Sequence, residues 1–176
     1  MGAFSHRELD EAFRHYWGTG AVGEDWSAWA DLFTEDVEYV EHFLGRMRGR
    51  EAVRAWILPL MREYPELYTA YQWHTVDEAR GRVIFAMINR RDHPGGGPSI
   101  DFPGISVIDY AGAGLWKRQE DYWAAPAGRS AYQGYREALC NDPEHPAKQT
   151  RKEWGDGPEW CQGAPLGPTS TLVPEA

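Results

Sequence analysis

The sequence lacks the features that mark several specialised classes of protein. Its two cysteines, Cys140 and Cys161, are too few for a disulfide framework or a zinc-binding pattern. No segment approaches the roughly 20 apolar residues that a membrane-spanning helix needs, and the amino terminus has no basic segment followed by an apolar one. We therefore expect a cytoplasmic protein with reduced thiols and no membrane span.

Positive charge is also scarce. Eighteen Lys and Arg residues stand against twenty-seven Asp and Glu residues, and the formal net charge of −9 would repel phosphate backbones and anionic membranes. The six histidines include no pair at a metal-ligand spacing beside a third ligand. The glycines at 95–97 precede a strand, so they lack the helix N-terminus that holds phosphate. We therefore expect no nucleic-acid partner, no metal and no cofactor.

Aromatic residues, by contrast, are abundant. Nine tryptophans and nine tyrosines exceed what one ordinary core of this size requires, so some are expected to line a ligand cavity. The length fits one domain, which we place at residues 1–140. Residues 141–176 form an extension rich in Pro and Gly, and its Trp154, Trp160 and Leu166 predict that part of it docks on the domain.

Hydrophobic periodicity predicts helices first and a long sheet afterwards. Helical spacing, with Ser5 and Asp25 as N-caps, changes to strand-like alternation from Leu67 onward. The predicted helices cover residues 5–17, 25–33, 50–64 and 128–139, and the predicted strands cover residues 37–43, 67–76, 82–91, 100–110 and 115–124. Residues 45–49 are predicted as a turn. This order indicates an α+β domain in which a curved antiparallel sheet wraps around the N-terminal helices and encloses a cavity.

Two of the predicted strands place acidic and aromatic side chains on a common face. Tyr39 and Glu41 lie two residues apart, as do Asp121 and Trp123. Because alternate residues of a strand point to the same side, we expect each pair to share a face. The two pairs together predict a phenol and two carboxylates in one aromatic cavity.

Two segments carry a resemblance to a known group of proteins. The sequence LFTEDVEYVEHFLGRMRGREAV, residues 32–53, is similar to a segment of limonene epoxide hydrolase, and QEDYW, residues 119–123, is the second match. Together with the order of elements over about residues 5–140, they resemble the SnoaL-like or NTF2-like superfamily of polyketide cyclases and ketosteroid isomerases. The resemblance implies a cone-shaped, cystatin-like α+β roll and a homodimer formed through the outer face of the sheet.

The resemblance to limonene epoxide hydrolase assigns site positions on the first and last strands but fails on the middle strand. The Tyr and Asn that hold the lytic water in that enzyme match Tyr39 and Glu41, and its last-strand Asp matches Asp121. On the middle strand, Met87 and Asn89 stand where the hydrolase has an Arg and a second Asp. In the hydrolase that Arg lowers the pKa of one carboxyl group and bridges it to the other, and this pair of carboxyl groups opens the epoxide. The Arg is missing here, so epoxide hydrolysis is a minor alternative.

The remaining groups suit proton transfer next to a carbonyl. A carboxylate whose pKa is raised by an apolar cavity can abstract an acidic C–H proton while an O–H donor binds the enolate oxygen. By resemblance to SnoaL-type cyclases we predict Asp121 as the base. Tyr39, Glu41 and Asn89 are its predicted catalytic partners. The predicted substrate-binding residues are Trp56, Met87, Trp123, His42 and His74.

These residues suggest a lyase or isomerase of cyclase, isomerase or dehydratase type that acts on a hydrophobic polyketide-, steroid- or terpenoid-like molecule. The alternative is a non-catalytic ligand-binding or assembly subunit of the same fold, which would leave no room beside Tyr39.

Single residues have alternatives of their own. Asp121 is a solvated strand charge if it faces outward. Glu41 pairs with an arginine at 46 or 48 if it turns outward, and His42 then faces the cavity. Asn89 and His74 both have structural, hydrogen-bonded alternatives.

Overall fold

The computed structural model describes residues 4–141, 148–149, 153–163 and 170–171. Its helices are α1 (His6–Trp17), α2 (Trp26–Asp31), α3 (Arg50–Glu63) and α4 (Ala125–Asn141). Its strands are β1 (Phe33–Glu41), β2 (Gly45–Arg48), β3 (Tyr68–Asp77), β4 (Arg82–Arg91), β5 (Ile100–Gly112), β6 (Leu115–Trp123), β7 (Lys148–Gln149) and β8 (Ser170–Thr171). A π-helical turn, Gly18–Val22, follows α1, and a 3₁₀ turn covers Glu159–Cys161. No helix in this described part of the chain is long and apolar enough to cross a membrane.

The first two helices begin where the sequence predicts. The Ser5 side chain accepts a hydrogen bond from the backbone N–H of Glu8 at 3.2 Å, and the Asp25 side chain accepts one from Ala28 at 2.9 Å. Each bond satisfies a backbone donor left free at a helix N-terminus. The second helix is shorter than predicted, because Phe33 already belongs to β1.

Six strands form one sheet in the order β2-β1-β6-β5-β4-β3. The predicted meander is present in β3 to β6, whose neighbours pair antiparallel. Two features differ from the prediction: β2 is a strand where the sequence predicts a turn, and β1 pairs with β6 in parallel. Gly45 and Gly49 have positive φ values of 133° and 87°, so they bound a short strand that sequence reasoning merges into one turn.

An aromatic core fills part of the concave face of the sheet. Phe85 of β4 packs against α1, with its ring centroid 5.1 Å from that of Phe13 and 5.8 Å from that of Trp17. Trp29 of α2 packs edge-on against Phe33 at 4.8 Å. The helices therefore cover the face of the sheet that carries Phe85. The predicted α+β architecture, with N-terminal helices inside a curved sheet, is confirmed.

Residues 153–163 lie against the domain. The Trp160 ring centroid is 6.1 Å from that of Phe13, and Trp154 is buried with its ring 5.2 Å from that of Tyr68. Leu166, the third residue predicted to dock, lies outside the described residues. The division into a domain and an extension at residue 140 stays a prediction.

Gly20 lies in the π-helical turn at a position with no room for a side chain. A Cβ atom there would stand 2.4 Å from Cδ1 of the buried Trp29 ring. Gly18 of the same turn has helical φ and ψ values of −61° and −37° and open space around it. Close packing of Trp29 on the backbone therefore requires glycine at 20 but not at 18.

We predict that Gly20→Ala lowers the free energy of unfolding by about 1–3 kcal/mol, the usual cost of overpacking a core. Gly18→Ala is the matched control and should raise it by roughly 0.4–1 kcal/mol, because alanine restricts the unfolded chain. Urea unfolding followed by tryptophan fluorescence measures both. Equal stability of Gly20→Ala and the wild type would contradict this packing.

Candidate active site

A cavity of about 390 Å³ lies on the concave side of the sheet, beyond the aromatic core. Its volume falls in the range of small-molecule sites. Strands β1, β4, β5 and β6 and helices α3 and α4 all contribute to its walls. Much of its lining is apolar or aromatic, including Trp26, Trp29, Trp56, Leu60, Met61, Met87, Phe102 and Trp123.

The alternation of β1 and β6 brings the predicted side chains to this cavity. Tyr39 and Glu41 line it from β1, and Asp121 and Trp123 line it from β6. The two strands run parallel with Glu41 beside Asp121 in register, so the four side chains lie on one face in adjacent rows. The alternative in which Asp121 is a solvated strand charge is wrong.

Asp121 accepts three hydrogen bonds. The Ser106 hydroxyl donates to Oδ1 at 2.6 Å, the Gln119 side-chain amide donates to Oδ1 at 2.9 Å, and the Tyr39 hydroxyl donates to Oδ2 at 2.5 Å. Gln119 also donates to the Tyr39 oxygen at 2.9 Å and accepts from the Tyr16 hydroxyl at 2.7 Å. A carboxylate offers about four lone-pair sites. Oδ1 is therefore occupied, and Oδ2 keeps one free position.

Burial sets the protonation of this cluster. Desolvation raises the pKa of Asp121 above the ordinary aspartate value, the three hydrogen-bond donors oppose the rise, and the charge of Glu41 adds to it. Desolvation, followed by the charge of Asp121, raises the pKa of Tyr39 and Tyr16 well above that of an ordinary tyrosine. The cluster thus combines a carboxylate of increased basicity with neutral O–H donors.

Glu41 faces inward and is fully engaged. The Trp123 indole N–H donates to its Oε1, and the backbone N–H groups of Phe43 and Leu44 donate to its Oε2, the first at 3.0 Å. The alternative in which Glu41 turns outward toward an arginine of β2 is wrong, since the residue is 3% exposed. All its partners are N–H donors, so Glu41 acts as an acceptor that fixes Trp123 and the end of β1.

Two residues predicted to bind substrate lie outside the cavity. Alternation turns His42 to the convex side because Glu41 takes the inward position, and His42 Nε2 lies 2.7 Å from Glu120 Oε1. His74 lies between the Tyr71 hydroxyl at 2.8 Å and Asp10 at 2.9 Å. The predicted placement of both histidines is corrected, and the geometry of His74 matches its structural alternative.

The other predicted residues line the cavity. The Trp56 ring lies 5.1 Å from the Tyr39 ring, and Met87 and Asn89 project from β4. The Asn89 amide makes no hydrogen bond to another described residue, so its alternative as a tie between strands has no bond to support it. A Cβ on Gly104 would stand 3.3 Å from Asn89 Nδ2 and from Met87 Cε. The missing side chain of Gly104 keeps this part of the cavity open.

Sequence reasoning missed several polar residues of the cavity, among them Tyr16, Arg91, Ser106 and Gln119. Gln119 and Arg91 each lie two residues from a predicted site residue on the same strand, so alternation alone would have found them. Ser106 and Tyr16 come from β5 and α1, and no local pattern marks either. Their roles depend on which strands and helices become neighbours.

Comparison with known proteins decides the family. The profile of the SnoaL-like domain matches residues 10–119. The chain belongs to the SnoaL-like family. No curated protein matches its sequence.

Solved structures similar to this SnoaL-like protein share its fold at low sequence identity. One, from Jannaschia sp. CCS1 and provisionally described as a SnoaL-like polyketide cyclase, is 18% identical with a TM-score of 0.58, and the match covers 74% of this chain and 96% of that one. A provisionally described isomerase from Bacillus subtilis is 19% identical with a TM-score of 0.58, over 73% and 94%. SalBIII, an epoxide hydrolase/cyclase-like enzyme of pyran ring formation in the polyether salinomycin, is 14% identical with a TM-score of 0.57, over 70% and 95%.

We predict that Ser106→Ala raises the pKa of Asp121 further. The Ser106 hydroxyl stabilises the charged carboxylate, so its loss favours the protonated acid and moves the titration to higher pH. Thr69→Val is the matched control, since it removes a hydroxyl of the cavity wall that makes no hydrogen bond to Asp121. The carboxyl carbon chemical shift of aspartate-labelled protein follows both titrations. An unchanged midpoint in Ser106→Ala would show that this hydroxyl does not act on Asp121.

Proposed function

We propose that this protein is a lyase or isomerase that performs cofactor-independent acid-base chemistry on a hydrophobic small molecule with a carbonyl group. The observation that carries the proposal is the Asp121 carboxylate, which lies in an aromatic cavity with a raised pKa and a hydrogen bond from Tyr39. Family membership and the similar structures described as cyclase or isomerase support the same class of reaction.

The first step is removal of a proton from the carbon next to the substrate carbonyl. The proton passes to the free position on Asp121 Oδ2, and the C–H electron pair becomes the C=C bond of an enolate. Ser106 and Gln119 hold Oδ1, so the carboxylate keeps a fixed orientation. Its raised pKa brings its proton affinity closer to that of the carbon acid.

Tyr39 then stabilises the enolate. As Asp121 becomes neutral it accepts hydrogen bonds more weakly, and the enolate oxygen becomes the stronger acceptor for the phenol O–H. Gln119 remains on the Tyr39 oxygen throughout and limits the movement to a rotation of the hydroxyl. The hydrogen bond therefore follows the negative charge as it forms.

The enolate has three balanced outcomes. Return of the proton from Asp121 to a different carbon gives double-bond isomerisation. Loss of a β-hydroxyl as water, with the proton from Asp121, gives dehydration. Attack of the enolate carbon on a second carbonyl of the same molecule, with the proton passed to the new alkoxide, gives ring closure. All three suit a polyketide-, steroid- or terpenoid-like substrate.

Two other functions receive less support. A non-catalytic subunit would need no space beside Tyr39, yet Tyr39 lines a cavity of about 390 Å³. Epoxide hydrolysis is favoured only by the description of SalBIII. No arginine among the described residues bonds to Asp121, and Met87 and Asn89 occupy the middle strand.

The proposal predicts that Asp121→Asn slows proton exchange. Wild-type protein should accelerate incorporation of deuterium from heavy water at the acidic carbons of 2-tetralone and 5-androstene-3,17-dione, followed by proton NMR. Loss of the base should lower this rate by about 10²- to 10⁴-fold, and Tyr39→Phe should lower it by a smaller factor. Asp36→Asn, at an exposed position, is the control. Full activity in Asp121→Asn would remove Asp121 from the mechanism.

The pH dependence of the same rate follows from the pKa shifts. Asp121 must be ionised to accept a proton, so the rate should rise with pH through its raised pKa and then level off. The pKa of Tyr39 is well above the ordinary value, so the phenol causes no decline below about pH 10. A rate that falls as pH rises through the acidic range would contradict the assignment.

We also propose a cytoplasmic homodimer that uses the convex face of the sheet. The strand register places Trp73, Ala86, Ile105 and Tyr122 in one row across β3, β4, β5 and β6. The three large members of this row are exposed. Exposed apolar rows of this kind are typical of interfaces, so we propose that a second copy of the chain packs against this one.

Ile105→Asp should therefore convert a dimer into a monomer, because it places a charge in the middle of the row. Leu44→Asp is the control, since Leu44 is also an exposed apolar residue but lies at the cavity. Size-exclusion chromatography with light scattering gives the mass of each species. A monomeric wild type, or an Ile105→Asp variant that stays dimeric, would contradict this interface.

A further inference from the structure

A buried arginine lies in the cavity at a distance from Asp121. Arg91 follows Phe85, Met87 and Asn89 at alternate positions of β4, and all four line the cavity. The Arg91 side chain is only 4% exposed. Buried cations are rare in proteins unless their donors are paired, so each donor of this guanidinium is expected to have a partner.

The guanidinium is only partly paired. Nε donates to Glu66 Oε1 at 3.0 Å, whereas Nη1 is buried and has no hydrogen-bond partner among the described residues. Buried donors are almost always satisfied in native proteins, and an exception requires an explanation. Arg91 lines the cavity, and an acceptor on a bound ligand would supply the partner that the described protein groups do not.

Three tyrosines fix the position of this group. The ring centroids of Tyr64, Tyr132 and Tyr135 lie 5.9, 5.8 and 5.7 Å from the guanidinium carbon of Arg91. Aromatic faces attract the cation but do not accept the in-plane hydrogen bonds of Nη1. Together with Glu66 they hold Arg91 in place before a ligand binds.

We propose that Arg91 binds a carboxylate carried by the substrate at the end opposite its reacting carbon. A guanidinium matches the geometry of a carboxylate better than any other side chain. The Asn89 amide, which lies on the same face of β4, offers a second donor to the same end of the ligand. The carboxylates of the cavity wall, Glu41 and Asp121, lie on β1 and β6, away from the proposed anion site.

The sheet register indicates how far apart the two ends of this ligand would bind. Asp121 pairs with Ser106, and Ser106 pairs with Phe85 of β4. Arg91 lies six residues beyond Phe85, which corresponds to about 20 Å of strand at roughly 3.3 Å per residue. Side chains from both ends shorten this gap. The substrate class is therefore an elongated hydrophobic carboxylic acid, and this identification of the reacting end depends on the proposed function above.

Equilibrium binding tests the anion site without turnover. Isothermal titration calorimetry compares anthracene-2-carboxylate with anthracene-2-carboxamide, which has the same shape and no charge. Wild-type protein should bind the carboxylate at least about tenfold more tightly, as expected for a charge-assisted hydrogen bond. Arg91→Met should abolish this preference. Arg90→Met, which removes the neighbouring arginine paired with Asp101, should keep it.

A second variant keeps the test valid if Arg91→Met does not fold. Arg91→Met leaves the partly buried Glu66 without its partner. The double variant Arg91→Met with Glu66→Leu removes both charges of the pair, and it replaces the single variant if that one unfolds. Equal affinity of the wild type for the two probes would overturn the proposal. A carboxylate preference that survives without Arg91 would overturn it as well.

Asp121→Asn separates this proposal from the proposed reaction. The variant should retain the preference for the carboxylate probe while it loses proton exchange. Retained preference together with retained exchange would support the anion site and remove Asp121 from catalysis. Lost preference in Asp121→Asn would assign the recognition of the carboxylate to the Asp121 cluster and overturn the role of Arg91.

Discussion

The hydrogen bond from the Tyr39 phenol to the Asp121 carboxylate is the interaction on which the rest of the site depends. It joins β1 to β6, and it keeps a charge in an aromatic cavity that would otherwise exclude it. Gln119 and Ser106 complete the shell from β6 and β5. These donors offset part of the desolvation but not all of it, so the carboxylate remains ionisable and more basic than an exposed aspartate.

The sheet topology makes this arrangement possible. Because β1 pairs with β6 in parallel and β5 pairs with β6 on its other side, residues from three strands reach one carboxylate. The bond from Trp123 to Glu41 crosses the same pair of strands and gives the cavity a fixed wall. The second inward carboxylate, Glu41, is thereby held by Trp123 and two backbone amides, whereas Asp121 Oδ2 keeps a free acceptor position.

Much of this site is predictable from the sequence, for a physical reason. Alternation within a strand is a local property, so the sequence alone suffices to place Tyr39 with Glu41, and Asp121 with Trp123, on one side of their strands. The same rule also finds Gln119, two residues before Asp121 on β6, and Arg91, two residues after Asn89 on β4. Local periodicity, however, says nothing about which strands become neighbours.

The errors follow from that limit. Strand β2 lies between Gly45 and Gly49 and is too short to show a periodicity of its own, so the sequence predicts a turn there. The parallel pairing of β1 with β6 joins segments about 80 residues apart, which no local pattern indicates. Ser106 meets Asp121 only through the pairing of β5 with β6. His42 would face the cavity only if Glu41 turned outward, and hydrogen bonds from Trp123 and two backbone amides decide against that orientation. The capping residues Ser5 and Asp25 are predictable because a cap acts within four residues.

The hydroxyl proton of Tyr39 gives the most direct test of the central claim. Proton NMR should show a downfield, exchange-protected hydroxyl resonance that disappears in Tyr39→Phe. Because the proton is donated to an ionised acceptor, the resonance should move upfield in Asp121→Asn and when the wild type is acidified through the raised pKa of Asp121. A hydroxyl resonance that is unchanged by both treatments would show that the phenol does not donate to a carboxylate at residue 121, and the proposed base would lose its principal support.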